Sequence, residues 1–483
     1  MGKFYITTTL PYVNADPHIG FALELVQADA IARYQRQQGS EVVFNTGTDE
    51  HGLKIYRRAL EEAKEPQAFV DEHAAKFADL VRALNVSTTH FIRTSDPHHK
   101  EAAQEFWQRC KTNGAIYKAT YRIQYCVGCE LEKTDSELEN GRCPIHPNLT
   151  MEAIEEENYF FRFSSYQRPL LELYERRPDF VVPHFRLSEI ENFVAAGLKD
   201  FSISRLKEKL PWGVPVPNDP DHVFFVWFDA LVNYISTLGW PKDQRIFSDY
   251  WPGIQIAGKD NLRQQSAMWQ AMLMSAGLPN SRQVLIHGFI TVDGQKMSKS
   301  LGNVIDPFAL VEKYGVDPVR YYLLREIPSG EDGDFSYEKF EARYNGDLAN
   351  GIGNLVARVA TLAEPIGPIP PYRDEKIEKE IARVRDACEK YIAEFRLNEA
   401  LAVIWELVSF ADKYINDTKP WAIKADDAAL RRIIGNAAVL VDAICELLAS
   451  FLPDTAAKIR EQIAVGETEI TIKKGANLFP RLK

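Results

Sequence analysis

Phe4-Tyr5-Ile6-Thr7-Thr8-Thr9 passes through Pro11, Asn14 and Asp16 into Pro17-His18-Ile19-Gly20-Phe21, and Val42-Val43-Phe44 then runs into Gly47-Thr48-Asp49-Glu50-His51-Gly52. The first run is β-branched and aromatic, which predicts a strand. The prolines and the Asn and Asp residues end it. Leu23, Val26 and Ala30 share one helical face in a pattern that stops at Gly39, and a second strand follows. Strand, loop, helix, strand is how a parallel α/β sheet begins.

From about residue 114 to 226 the pattern is irregular and reads as an insertion between two halves of the sheet. Strand-like runs return at Val223 to Phe228, Ile254-Gln255-Ile256 and Val284-Leu285-Ile286, the last two ending at Gly258 and at His287-Gly288. Ligands of such sheets bind beyond the carboxyl ends of the strands, where these polar and glycine positions fall. After about 345 the chain turns helical. Leu401, Ile404, Val408, Ala411 and Ile415 recur at helical spacing, as do Leu430, Ile434, Ala437, Val441, Ile444, Leu448 and Phe451, with Pro420 between the runs. Pro365 to Pro371 reads as a connector.

With 483 residues the chain exceeds one hydrophobic core and predicts about three domains. No apolar run approaches the roughly 20 residues of a membrane span, and no signal-peptide pattern opens the sequence, so the expected location is the cytoplasm. A net charge of -11 argues against a wholly basic nucleic-acid coat but leaves room for a local basic groove.

Lys296-Met297-Ser298-Lys299-Ser300-Leu301-Gly302-Asn303 holds two lysines and two serines within five residues. Such a loop suits a triphosphate whose charge grows as pyrophosphate leaves; alone, it also reads as a solvated charged loop. Gly20 lets a backbone approach a nucleotide, the helix start favours phosphate, and His18 can donate to a phosphate oxygen. Cys126-Val127-Gly128-Cys129 and Cys143-Pro144-Ile145-His146 are two ligand pairs with two residues between each, the spacing of a tetrahedral Cys3His zinc site. It offers no spare position for a substrate, so the expected Zn²⁺ is structural.

The His18 and Lys296 signatures resemble the HIGH and KMSKS motifs of class I aminoacyl-tRNA synthetases. Thr9 to Asn14, Gly47 to Gly52, Val226-Trp227-Phe228-Asp229-Ala230, Gly258-Lys259-Asp260 and Lys419-Pro420-Trp421 narrow the resemblance, over nearly the whole chain, to the methionyl-tRNA synthetases. The resemblance implies a split Rossmann-type catalytic domain with a zinc-knuckle insertion, followed by an all-α C-terminal helix bundle. The implied division is 1–113 and 227–325 for the catalytic halves, 114–226 for the insertion, 326–364 for a linking region and 365–483 for anticodon binding.

The resemblance also implies roles. ATP, with Mg²⁺, would meet His18, Gly20, Gly258, Asp260, His287, Lys296, Ser298 and Lys299, with His18, Lys296 and Lys299 catalytic. Methionine would meet Leu10, Tyr12, Asp49, Trp227, Ala230, Tyr234, Asn261 and Gln265, with Asp49 taking the ammonium. Asn354, Arg358 and Trp421 would read the anticodon of tRNA(Met). An aromatic, apolar pocket suits a thioether. Without the resemblance Trp227 and Tyr234 fit core packing, and Trp421 fits a helix-start core residue equally well. Phe21 replaces a second signature histidine, and Asn261 and Gln265 replace a usual isoleucine and histidine. These departures motivate a rival reading, a silent paralogue that binds tRNA or protein. A monomer is expected, since the chain ends soon after the bundle.

Overall fold

The structure, a computed structural model, describes residues 2–129, 131–133, 137–298, 302–364, 366, 369–424 and 427–482. The chain forms two compact units, neither continuous in sequence. The first is Met1–Pro17, Ser40–Arg82 and Thr88–Ile286; the second is His18–Gly39, Ala83–Ser87 and His287–Lys483.

The first unit is built on a six-stranded sheet. Strand β1 (Lys3–Thr8) lies between β2 (Glu41–Thr48) and the distant strand Ile254–Gly258; β3 (His90–Arg93) flanks β2, and Gln283–His287 and Val181–Val182 complete the other side. β1 pairs in parallel with both neighbours, Ile6 standing opposite Phe44 and opposite Ile254. The strand order therefore reverses at β1, and a reversal of this kind opens a crevice past the carboxyl ends.

The residues between the halves form two antiparallel sheets. Ile116–Cys126 and Glu152–Phe161 make a long ribbon, joined by Leu131–Lys133 and Phe201–Ser202. The second sheet joins Pro215–Val216, Asp219–Phe224 and Ser204–Leu206. Here the structure corrects one expectation. Val223 to Phe228 is not one strand: it stops at Phe224 and Val226–Ala230 is helical. Packing decides this. Phe224 stacks on Trp107 at 4.7 Å, and Phe228 meets the edge of the same indole at 5.3 Å. A helical turn delivers both rings to one buried cluster, whereas an even-numbered step along one strand face would keep them in line and carry Phe228 away.

In the second unit, helix α1 (Ile19–Gln37) packs on helix Val316–Arg325. Helices Glu375–Ala393, Leu397–Thr418 and Ala428–Leu448 pack into the expected bundle. The helix stops at Leu448, so Phe451 follows it rather than ending it. A hairpin of Ile463–Val465 and Ile470–Ile472, absent from the sequence reading, closes on Ile369 of the connector; Pro365, Gly367 and Pro368 of that connector lie outside the described residues. Among the described residues no helix is long and apolar enough to cross a membrane.

A buried charge network ties α1 to the bundle. Arg320, fully buried, sets Nη2 2.7 Å from Asp29 Oδ2 and donates through Nε to the Phe451 carbonyl and through Nη1 to that of Leu84. Asp29 also accepts from Arg33 Nε and from the N–H and Oγ of Ser87. Burial pushes the Asp29 carboxyl up, but the two guanidiniums outweigh it and hold the group below its ordinary value. Its contribution to stability is thus present above the unfolded carboxylate pKa and is lost as pH falls through the folded one. Removing Arg320 leaves a buried carboxylate without its main partner. Arg320→Met is expected to cost about 3–5 kcal/mol in urea unfolding at neutral pH, and a loss near zero would contradict this accounting.

Candidate active site

Beyond the ends of β1 and β2 the chain brings two predicted residues side by side. Tyr12 and Asp49 form an isolated parallel bridge: Asp49 N–H donates to the Pro11 carbonyl at 3.0 Å, and Val13 N–H to the Asp49 carbonyl at 3.2 Å. Asp49 is buried, Tyr12 and Leu10 half-buried. A carboxylate beside an aromatic ring at the switch point of the sheet is a place where a small cationic group can be held.

In the same unit Ala230 and Tyr234 are buried and Trp227 is half-buried. Gln265, in a π-helical stretch (Gln264–Met268), donates through Nε2 to Tyr234 Oη at 2.7 Å. Its Oε1 accepts from Gln255 Nε2 at 3.1 Å, and Ser281 Oγ donates to Gln255 Oε1 at 2.5 Å. The glutamine thus sits in a fixed amide orientation, and Gln255, which the sequence reading passed over as a strand residue, sets it. Gly258 ends its strand and leads into the tight turn Lys259–Asn261; there Asp260 is exposed and accepts from Asn261 Nδ2 at 3.3 Å.

The phosphate-type residues belong to the second unit. His18 caps α1, its Nδ1 accepting from Gly20 N–H at 3.1 Å. An accepting Nδ1 places the ring proton on Nε2, so the outer nitrogen is a donor. A Cβ on Gly20 would lie 2.9 Å from the His18 ring, so the glycine serves the histidine as well as any ligand. Phe21, in place of a second histidine, packs on His18 with ring centroids 4.5 Å apart. His287 sets Nε2 2.9 Å from Glu24 Oε2 and Nδ1 2.7 Å from the Gly288 carbonyl.

Lys296 is exposed on a short hairpin strand, and Ser298 N–H donates to Asn303 Oδ1 at 2.9 Å. Asn303 also donates to the Lys296 carbonyl, holding both ends of the loop. Its presence in the quoted motif was the available signal for this role. Lys299, with Ser300 and Leu301, lies outside the described residues.

Cys126, Cys129, Cys143 and His146 converge, their ligand atoms all within 4.8 Å of one another. Cys129 Sγ lies 3.5 Å from Cys143 Sγ and 3.2 Å from His146 Nδ1. Tetrahedral zinc with Zn–S near 2.3 Å sets sulfur pairs about 3.8 Å apart. A Cβ on Gly128 would lie 2.5 Å from the His146 ring, so the knuckle needs glycine there. The donor set fits a soft or borderline divalent metal.

In the helical unit Arg358 lies over the Trp421 ring, guanidinium to centroid 5.1 Å, and donates to Asn416 Oδ1 at 2.6 Å. Trp421 is 56% exposed, which excludes the core alternative for it. Asn354 is exposed one helical turn before Arg358. The structure thus groups the three residues on one surface, the pairing of cation and exposed indole being a platform on which an unstacked base can lie.

A split parallel sheet, a histidine-capped first helix and a lysine-bearing loop define the class I aminoacyl-tRNA synthetases. The model for "tRNA synthetases class I (M)" matches residues 4–148 and 133–360, and that for "Anticodon-binding domain of tRNA ligase" matches 374–475. The methionine–tRNA ligase of Thermotoga maritima is 43% identical over 479 residues, covering 96% of this chain and 76% of that protein. That of Mesorhizobium japonicum is 43% identical over 474 residues, covering 96% and 92%. The structure is similar to Mycobacterium tuberculosis methionyl-tRNA synthetase in complex with methionyl-adenylate, with a TM-score of 0.95 and 36% identity over the whole of both chains. The chain belongs to the methionine–tRNA ligase family.

The cysteine–histidine cluster offers a direct check. Gly128→Ala is expected to lower the metal bound per folded chain, measured by elemental analysis, because the new methyl group displaces the His146 ring. Unchanged metal content would show that the knuckle tolerates the shift.

Proposed function

We propose that the chain carries out the reaction of its family with these residues. Methionine and ATP, as its Mg²⁺ complex, give methionyl-adenylate and pyrophosphate. The methionyl group then passes to the 3′ end of tRNA(Met), initiator tRNA included. In the first step a methionine carboxylate oxygen bonds to the α-phosphorus and the bond to the β-phosphate bridge breaks. In the second a terminal ribose hydroxyl attacks the carbonyl and AMP leaves. Catalysis is positioning and charge stabilisation, with no covalent enzyme intermediate.

The observation that carries this reading is the Tyr12–Asp49 bridge. Asp49 takes the ammonium, while Leu10, Tyr12, Trp227, Ala230, Tyr234, Asn261 and Gln265 surround the side chain. Gln265, already donating to Tyr234, replaces a titratable ring with a neutral amide. His18, Gly20, Gly258, Asp260, His287, Lys296, Ser298 and Lys299 serve ATP, with His18 and the two lysines facing the charge that develops. Cys126, Cys129, Cys143 and His146 would hold one structural Zn²⁺, which would supply a fixed tip to the inserted ribbon. Asn354, Arg358 and Trp421 read the anticodon. The catalytic halves are 1–113 and 227–325, the insertion 114–226, the linking region 326–364 and the anticodon domain 365–483.

Two variants separate the steps. Gly20→Ala crowds His18 and is expected to slow methionine-dependent pyrophosphate exchange roughly 10- to 100-fold with an unaltered circular dichroism spectrum. Trp421→Ala removes about 1–3 kcal/mol of base stacking and is expected to raise the KM for tRNA while leaving exchange intact. Equal damage to both steps by Trp421→Ala would remove the anticodon role. Failure of wild-type protein to charge tRNA(Met), read as a shift on an acid gel, would remove the reading and favour the silent paralogue.

A further inference from the structure

Asp229 is buried, and each of its carboxylate oxygens meets a buried histidine. Oδ2 lies 2.6 Å from Nδ1 of His51, and Oδ1 lies 2.9 Å from Nε2 of His99. The other His99 nitrogen is 2.9 Å from Ser236 Oγ. Burial alone would raise the Asp229 carboxyl, but the charge and hydrogen bond of His51, with those of His99, outweigh it and hold the group well below the usual carboxylate range. A buried anion with two partners is not needed to fill space, since an apolar residue of similar size does that at lower cost.

What the cluster joins gives it meaning. His51 stands two residues after Asp49, on the loop that follows β2. Asp229 stands between Trp227 and Ala230 on the helix Val226–Ala230. His99 anchors the pair from the helix Pro97–Thr112. The intervening Glu50 is committed elsewhere: Thr48, Arg93 and Ser95 donate to its carboxylate, and its N–H donates to Thr94 Oγ1. Residues 50 and 51 are therefore pinned by different partners, which leaves the Asp49 backbone little freedom.

We propose that Asp229 is a positioning residue for the amino-acid pocket: through His51 and His99 it clamps the Asp49 loop to the helix carrying Trp227 and Ala230. The separation between ammonium acceptor and side-chain wall is then set by a buried, directional link rather than by loop packing. This rests on the methionine-pocket reading above. Two N–H donors converge on Asp229, so an isosteric amide, which presents an NH2 on one side, breaks one tether and keeps the volume.

The test is pyrophosphate exchange with Asp229→Asn, His99→Leu and His99→Gln, each in the wild-type and Asp49→Asn backgrounds. Asp229→Asn and His99→Leu are expected to raise the KM for methionine roughly 10- to 100-fold without moving that for ATP. His99→Gln, whose amide still reaches Asp229, should stay near wild type. With Asp49 already replaced, the same changes should have little further effect, because they act through that residue. Equal shifts in both KM values, full additivity with Asp49→Asn, or no shift at all would overturn the proposal. Should Asp229→Asn fail to fold, the two His99 variants carry the comparison. Wild-type protein without methionine-dependent exchange would instead sink the pocket reading itself.

Discussion

The structure depends on the parallel pairing of β1 with β2 on one side and Ile254–Gly258 on the other. Parallel neighbours cannot be joined by a tight turn, so the chain must leave the sheet and return. Between β3 and the returning strand it makes the inserted ribbon, the knuckle and the aromatic cluster around Trp107. The same pairing puts the ends of β1 and β2 next to each other, which is why Tyr12 and Asp49 meet although they are far apart in sequence. The chain passes between the two compact units five times, the first passage at Pro17–His18 and the last at Ile286–His287. The first of these falls at His18, which the first signature singles out, and the last at His287, a residue the resemblance assigns to ATP.

Much of this was legible in the sequence. The alternation of strand and helix gave the parallel sheet, helical spacing gave the bundle, and one Cys–Cys and one Cys–His pair gave the four-residue ligand cluster. These features are local: each is written within a short window by periodicity or ligand spacing. The errors arose where a distant partner decides. Val223 to Phe228 has strand composition throughout, but Trp107, over a hundred residues earlier, draws Phe224 and Phe228 into one cluster and the chain turns helical. The Ile463–Ile472 hairpin is too short to announce itself and is set by Ile369.

The site shows the same division. His18, Asp49, Trp421 and the loop at Lys296 stood out because their motifs are contiguous. Gln255 and His99 bond to side chains beyond their own elements, and no spacing rule marks a residue whose partner lies on another element. Buried polar chains such as Ser281–Gln255–Gln265–Tyr234 and His51–Asp229–His99 are costly unless every member is satisfied. The first contains Gln265 and Tyr234, proposed for the amino-acid pocket, and the second adjoins Asp49 and Trp227 in sequence. Gln255 and Tyr234 supply partners suited to the Gln265 amide.

The central claim is that the switch point of this sheet selects methionine and activates it with ATP. Pyrophosphate exchange into ATP, measured with each of the twenty amino acids in turn on folded, metal-loaded protein, tests it most directly. The account predicts exchange with methionine and none with the others. Exchange driven by a different amino acid, or by none, would contradict it.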